Sequence, residues 1–176
     1  MALLDILTAP HPVLSAKARA VTADEFTPAL QRLLEDMAET MYAAPGVGLA
    51  APQIGDSRRI VVADPGFEGE DGARKKGVDL VFMVNPQIVE RGAERIQWEE
   101  SCLSVPDLSQ NVDRTKRILV RFQDAKGEAQ ERSYEGFGAV VIQHELDHLD
   151  GVTLLKYSSL LKRSRYLQKQ KKAPGH

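Results

Sequence analysis

Between Thr27 and Gly46 the apolar residues Leu30, Leu33, Leu34, Met37 and Met41 recur at helical spacing, and Pro45 and Gly46 end the pattern. Thr27 followed by Pro28 reads as an N-cap with proline at the first helical position, so the stretch predicts an amphipathic helix with a core-facing stripe. Short β-branched runs follow at 59–63 (RIVVA), 80–89 (LVFMVNPQIV) and 117–122 (RILVRF). A polar run at 129–134 comes after DAKGE, which predicts a hairpin turn at Lys126 and Gly127. Residues 65–79 are rich in glycine and charge with no periodicity and predict a surface loop. From Gly136 to Leu149, Phe137, Val140, Val141, Ile142, Leu146 and Leu149 leave hardly any fully polar face, the pattern of a helix set deep in a fold. A last helix is expected from about Ser158 to Lys172, with Leu160, Leu161, Tyr166 and Leu167 on one side, basic residues on the rest, and a second half that frays. Helices interrupted by strand clusters, without regular βαβ alternation, predict an α+β fold in which mostly antiparallel sheet wraps a buried helix.

Composition narrows the class. A chain of 176 residues suits one domain over 1–176, with a basic C-terminal helix or tail at about 158–176, and buries about two-thirds of its unfolded surface without disulfides. Hydrophobic residues at 43% and charged residues at 27% exclude a disordered chain. A net charge of -2 gives no global reason to expect DNA binding, although the last turns are basic. The opening MALLDILTAPHPVL lacks a positive leader and is broken by Pro10 and Pro12, unlike a secretory signal. No apolar run approaches the roughly 18 residues that span a bilayer. The expected location is therefore cytoplasmic, with no membrane partner. Cys102 is the chain's single cysteine, so no intramolecular disulfide forms, and a reducing compartment keeps its thiol available.

That thiol matters because of QHELDHLDG at 143–151, which contains His144, Glu145 and His148 in HExxH order. At 100° per residue the two imidazoles project from one face a turn apart, where they can bind one cation. Glu145 neighbours that face and can reach an activated water without being a ligand, as a general base must. Burying these groups on a nearly apolar helix without partners would cost roughly 1–3 kcal/mol each. The other histidines, His11 and His176, lie near the termini. Cys102, in the polar, turn-rich EESCLSVP, is the best remaining third ligand. One Cys and two His leave a tetrahedral position open. The thiolate favours Fe(II), Zn, Co or Ni over Mg or Ca.

Upstream, GVGLAAPQIG at 46–55 exceeds what a helix end needs. Its glycines let a peptide approach and pair main chain to main chain, and Gln53 offers an amide N–H to an oxyanion. Asp147 shares the HExxH helix. Arg114 is available to pair with it, either as a brace behind the ligands or as a surface salt bridge.

GVGLAAPQ, ESCLSVP and QHELDHLDG stand in the order and approximate spacing of the three signature motifs of peptide deformylases, and most of the chain resembles that family. The stretch ILTAPHPVLSAKARAV resembles the family's N-terminal strand with its proline-containing turn. The resemblance implies an α+β fold with antiparallel strands around the HExxH helix. It also implies hydrolysis of the formyl group of N-formylmethionyl nascent peptides, releasing formate. By the same resemblance Cys102, His144 and His148 hold the metal, usually Fe(II), with Zn, Ni or Co able to replace it, and Glu145 is the catalytic acid/base. Gln53 and the backbone N–H of Leu103 match the donors to the formyl oxygen, and Gly48 matches the residue that pairs with the peptide backbone. Val47, Phe137, Val140 and Val141 fall where the family lines its methionine pocket. The basic tail, with six cationic residues from Lys162 to Lys172, reads either as a solvated, fraying end or, as the resemblance implies, as a segment that docks to ribosomal RNA. One position departs: the family usually has EGCLS, whereas Ser101 precedes the cysteine here, and its side chain crowds the substrate strand. Two alternatives stand beside this one. A zincin-type metallopeptidase would take its third ligand downstream of HExxH, where Asp150 lies. A deformylase-like protein would bind metal or ribosome without catalysis.

Overall fold

The computed structural model describes residues 2–67 and 71–172. Helix α1 (Pro28–Ala43) begins where proline fixes the first turn. The Thr27 side chain makes no cap bond; its carbonyl instead accepts from the N–H groups of Leu30 and Gln31. The buried stripe of α1 includes Leu30, Leu34, Met37 and Met41. It packs on strand β2 (Ile60–Ala63), which lies between β1 (Gly48–Ala50) and β3 (Val81–Arg91). All four residues of β2 are buried because the sheet is covered on both faces: Ile60 and Val62 face α1, while Val61 and Ala63 face helix α2 (Phe137–Leu149). A strand covered on both faces reads as an unbroken apolar run.

Strands β6 (Arg117–Gln123) and β7 (Ala129–Glu135) complete a five-stranded antiparallel sheet in the order β1-β2-β3-β6-β7. The turn at 124–128 falls where DAKGE placed it, with Gly127 N–H donating to the Asp124 carbonyl. Strands β4 (Arg95–Cys102) and β5 (Val105–Thr115) form a separate antiparallel hairpin. Antiparallel sheet therefore wraps α2, as expected of an α+β chain.

Helix α2 carries Val140, Val141 and Ile142, β-branched residues that propensity disfavours in a helix, and burial holds it together instead. Its end is a Schellman turn: Gly151 N–H donates to His148 O and Val152 N–H to Asp147 O. Gly151 sits at φ 75, and a Cβ there would stand 2.7 Å from the Ser15 carbonyl oxygen. The turn that carries His148 is thus closed by a position only glycine fits.

Two expectations need correction, and one element went unread. No N-terminal strand forms. Leu4, Leu7 and Ala9 donate to Thr40 Oγ1, Gln53 O and Ser104 O, partners on three different segments, and Pro10 and Pro12 contribute no donors to a ladder. The β4–β5 hairpin has no counterpart in the sequence reading. Helix α3 (Leu160–Lys172) is anchored the other way round: Tyr166 and Gln170 in its second half are buried, and the Tyr166 hydroxyl donates to the Pro106 carbonyl at 3.0 Å. Leu160 and Leu161, in its first turn, are 79% and 61% exposed, and that turn is held instead by Lys162 and Arg163, which bond the carbonyls of Ser109 and Leu155. Among the described residues no helix is long and apolar enough to cross a membrane.

Candidate metal centre

Helix α2 presents His144 and His148 one turn apart, with ring centroids at 5.1 Å. Cys102 ends β4, just before the Leu103–Ser104 turn, so the hairpin delivers its sulfur to the helix. Cys102 Sγ lies 3.3 Å from His148 Nε2, and one ligand atom from each of the three residues lies within 4.8 Å of the others. Tetrahedral coordination at ordinary metal–sulfur and metal–nitrogen lengths places such atoms about 3.3–3.6 Å apart, so the cluster fits a single small ion. Burial pushes the Cys102 thiol up, but His148 and His144 outweigh it and hold the thiol well below its ordinary range. A thiolate with two imidazoles suits Fe(II), Zn, Co or Ni. The other candidates lie elsewhere. His11 is exposed and accepts from Val13 N–H, Asp150 is paired with Arg59 at 3.1 Å, and His176 lies outside the described residues.

Behind the Cys102–His144–His148 cluster is a chain of buried charge. Glu100, two residues before Cys102 and so on the same face of β4, bonds His144 Nδ1 at 2.9 Å. That bond directs His144 Nε2 at the cluster and sets the tautomer a ligand needs. Arg114 grips Glu100 with Nε and Nη2, both at 2.8 Å, and reaches Asp147 with Nη1 at 2.7 Å. Tyr157 donates to Asp147 at 2.6 Å, and the Arg114 guanidinium lies over its ring. Burial pushes Glu100 up, yet Arg114 and His144 outweigh it and keep the carboxylate below its ordinary range, ionised to accept from His144. Of the two roles open to the Arg114–Asp147 pair, the geometry supports the brace, since Arg114 is only 5% exposed.

Gln53 is held by both ends. Ala50 N–H donates to its Oε1 at 2.9 Å, which assigns the amide orientation. Its Nε2 donates to Ser104 Oγ at 3.0 Å and lies 3.8 Å from Cys102 Sγ. The N-terminal segment clamps both backbones, through Leu7 N–H to Gln53 O and Ala9 N–H to Ser104 O. Sequence reasoning found Gln53 and missed Ser104, Glu100 and Tyr157. Glu100 had one available signal, its i−2 spacing from the cysteine.

A cleft of roughly 370 Å³ opens onto this cluster. Val47, Gly48, Gln53, Cys102, Leu103, Phe137, Val140, Val141, His144 and Glu145 all line it, and His148 lies buried beneath. Glu145 is buried, and burial is the main reason its carboxyl is pushed up to about 6. Its Oε2 and His148 Nδ1 have no hydrogen-bond partner among the described residues, a cost of roughly 1–3 kcal/mol each that functional sites bear. Gly48 makes room for Glu145: a Cβ on Gly48 would stand 2.5 Å from Glu145 Oε1 and 2.8 Å from Cδ.

Gly48 also has its main chain turned toward the cleft. Asp64 N–H donates to Val47 O, and Gly48 pairs in register with Ala63. Bonded and non-bonded pairs alternate along an antiparallel ladder, so the N–H and C=O of Gly48 point away from β2. Ala50, two residues on, behaves the same way, its N–H turned to Gln53. Strand β1 is the edge of its sheet, and among the described residues no strand covers that side.

The family model for polypeptide deformylase matches residues 3–164. A peptide deformylase of Desulfotalea psychrophila is 46% identical over 172 residues, covering 98% of this chain and 97% of its own length. The crystal structure of the Ehrlichia chaffeensis peptide deformylase superposes with a TM-score of 0.86 at 36% identity, covering 97% of this chain and 96% of that one. A Met-Ala-Ser-bound class I type b peptide deformylase from Acinetobacter baumannii gives a TM-score of 0.81 at 34% identity, covering 89% and 99%.

Proposed function

The chain belongs to the peptide deformylase family, and from that premise we propose that it hydrolyses the formyl group of N-formylmethionyl nascent peptides, releasing formate. One observation carries the reading: a thiolate–imidazole cluster, a buried carboxylate whose Oε2 has no partner among the described residues, and an open strand edge share a single cleft. We assign Cys102, His144 and His148 as ligands of one divalent ion, Fe(II) by preference, with Zn, Ni or Co as substitutes. Metal analysis of protein prepared without oxygen tests that choice; magnesium alone would refute it. When bound, the ion would supply Lewis acidity, bringing the pKa of water down toward about 7.

The remaining work falls to the chain's own groups. The free N–H and C=O of Gly48 add the substrate backbone as a strand on the edge of β1. Val47, Val140 and Val141 receive the methionine side chain, with Phe137 further out along α2. Glu145, whose carboxyl burial raises to about 6, takes the proton of the attacking water and returns it to the departing amine. Gln53 Nε2 and Leu103 N–H stabilise the oxyanion, each worth roughly 3–4 kcal/mol if well placed. The Met-Ala-Ser bound by the Acinetobacter relative is the peptide that formyl-Met-Ala-Ser becomes on losing its formyl group, which supports the same substrate here.

Formate release from formyl-Met-Ala-Ser tests the proposal. Cleavage at an internal peptide bond instead would establish the metallopeptidase. Ser101 is exposed at the cleft, and strand alternation turns it away from the face of Glu100 and Cys102. Ser101→Gly should therefore keep or raise kcat/KM in this assay, and a roughly tenfold fall would show that the hydroxyl is required.

Ribosome contact and a cytoplasmic location complete the proposal. Of the six basic residues in α3, Lys162 and Arg163 bond the carbonyls of Ser109 and Leu155. Arg165, Lys169, Lys171 and Lys172 remain to meet phosphate. Replacing those four with glutamine should abolish salt-sensitive cosedimentation with ribosomes, and undiminished cosedimentation would refute the contact.

A further inference from the structure

A second cleft, of roughly 390 Å³, shares no lining residue with the first. It opens where the end of β3 and the open end of the β4–β5 hairpin meet α2. Gln143, Leu146, Asp147 and Asp150 recur at intervals of three and four and present one stripe of the helix to it. At 3.6 residues per turn, that stripe stands roughly a third of a turn round from His144 and His148. Pro86, Ile88 and Arg91 of β3 line the facing wall. Regular alternation would put Arg91 on the opposite face from Pro86 and Ile88. The register against β6 slips between Ile88 and Glu90, and a bulge of this kind re-aims the side chains beyond it.

Four arginines and three aspartates line the cleft. Arg59 is paired with Asp150, Arg95 with Asp113 and Arg114 with Asp147. Arg91 has no carboxylate partner among the described residues. Its Nη1 donates to Gln143 Oε1 at 3.4 Å, a long bond to a neutral group. Gln143 is buried and cannot turn, since its Nε2 donates to the carbonyls of Thr115 and Ala139 and its Oε1 accepts from Thr115 N–H. The Arg91 guanidinium is therefore held at the cleft by one corner, and among the described residues its Nε and Nη2 have no acceptor. Arg114 shows what such an edge suits: it grips Glu100 with its own Nε and Nη2, both at 2.8 Å. A guanidinium fork binds a carboxylate by two parallel bonds. Buried Pro86 and Leu146, with half-buried Ile88, give the same cleft an apolar lining that suits hydrocarbon.

We propose that this cleft binds a small monocarboxylate with an apolar body, its carboxylate on the Nε–Nη2 edge of Arg91 and its body against Pro86, Ile88 and Leu146. One unpaired cation matches one negative charge, and the aspartates would repel a second. The site goes beyond the deformylase reading and does not depend on it.

Benzoate is the probe, titrated into the zinc-loaded protein with and without Met-Ala-Ser in the first cleft. It should shift the NMR signals of the Arg91 Nε–H and the Gln143 amide saturably, with a Kd of about 1 mM in both cases. Benzamide, which keeps the ring without the charge, should bind about tenfold more weakly, and formate, which keeps the charge without the ring, should do the same. Arg91→Gln should lower benzoate affinity by about tenfold, and Arg91→Lys, which keeps the charge but not the fork, should recover only part of it. Arg91 is exposed, so both variants should fold with Tm unchanged. Signals of Arg91 and Gln143 that stay in place, benzoate bound no tighter than benzamide, or equal affinity in Arg91→Gln would each overturn the site. Shifts abolished by Met-Ala-Ser would put benzoate in the first cleft and overturn it as well.

Discussion

Glu145→Gln is expected to lower kcat for formate release by about 10²–10⁴-fold while leaving bound metal and KM nearly unchanged. The amide has the same shape and fits beside Gly48, so the ligand cluster need not shift. What it loses is the capacity to accept a proton. The pH dependence separates this from a packing effect. Burial raises the Glu145 carboxyl to about 6, and only its ionised form can act as a base. The wild-type rate should therefore fall as pH drops through that region, or a lower one once a cation stands nearby, and hold above it. The glutamine variant should lack this acid limb. A variant that keeps more than a tenth of wild-type kcat, or keeps the limb, would remove Glu145 from the role.

Gly48→Ala should do nearly as much damage from the opposite side. Its Cβ would overlap the Glu145 carboxylate, and the buried side chain has little room to yield. A displacement of about 1 Å at a reacting group costs on the order of 10²-fold in rate, and overpacking of this kind costs about 1–3 kcal/mol of stability. The main-chain groups of Gly48 are unchanged, so peptide affinity should survive. A fall in kcat of about 10–100-fold with KM within a few-fold, together with a lowered Tm, is the expected result. Unchanged kcat would mean that the carboxylate moves freely, and that glycine serves only the substrate backbone.

Much of the architecture could be read from periodicity because burial imposes it. β2 reads as an unbroken apolar run because helices cover both its faces, and α2 reads as apolar all round because sheet surrounds it. The β4–β5 hairpin was illegible for the converse reason. One face of β4 carries Ile96, Trp98, Glu100 and Cys102, and the charged Glu100 in the middle breaks the expected alternation. β5 is interrupted by Pro106 and by Asp107 at φ 63, where the register slips. The candidate ligands are legible because metal chemistry demands particular atoms at fixed spacing. Glu100 is not, because a glutamate beside a cysteine looks like any surface residue until Arg114 and His144 close around it. Ser104 is less legible still: it acts through one hydroxyl bond to Gln53 and one carbonyl bond to Ala9.

The open edge of β1 has a consequence for timing. As the proposed docking edge for substrate, three residues can take up only backbone that is extended and whose own amides and carbonyls are unclaimed. An N-terminus already wound into a helix or captured in its own sheet must first open locally, and that opening free energy is added to the barrier for processing. Chains grow at about 5–20 residues per second, so the enzyme competes with the client's earliest folding events. Which proteins retain a formyl group would then depend on how soon their first segment folds, and not only on the side chains near its start.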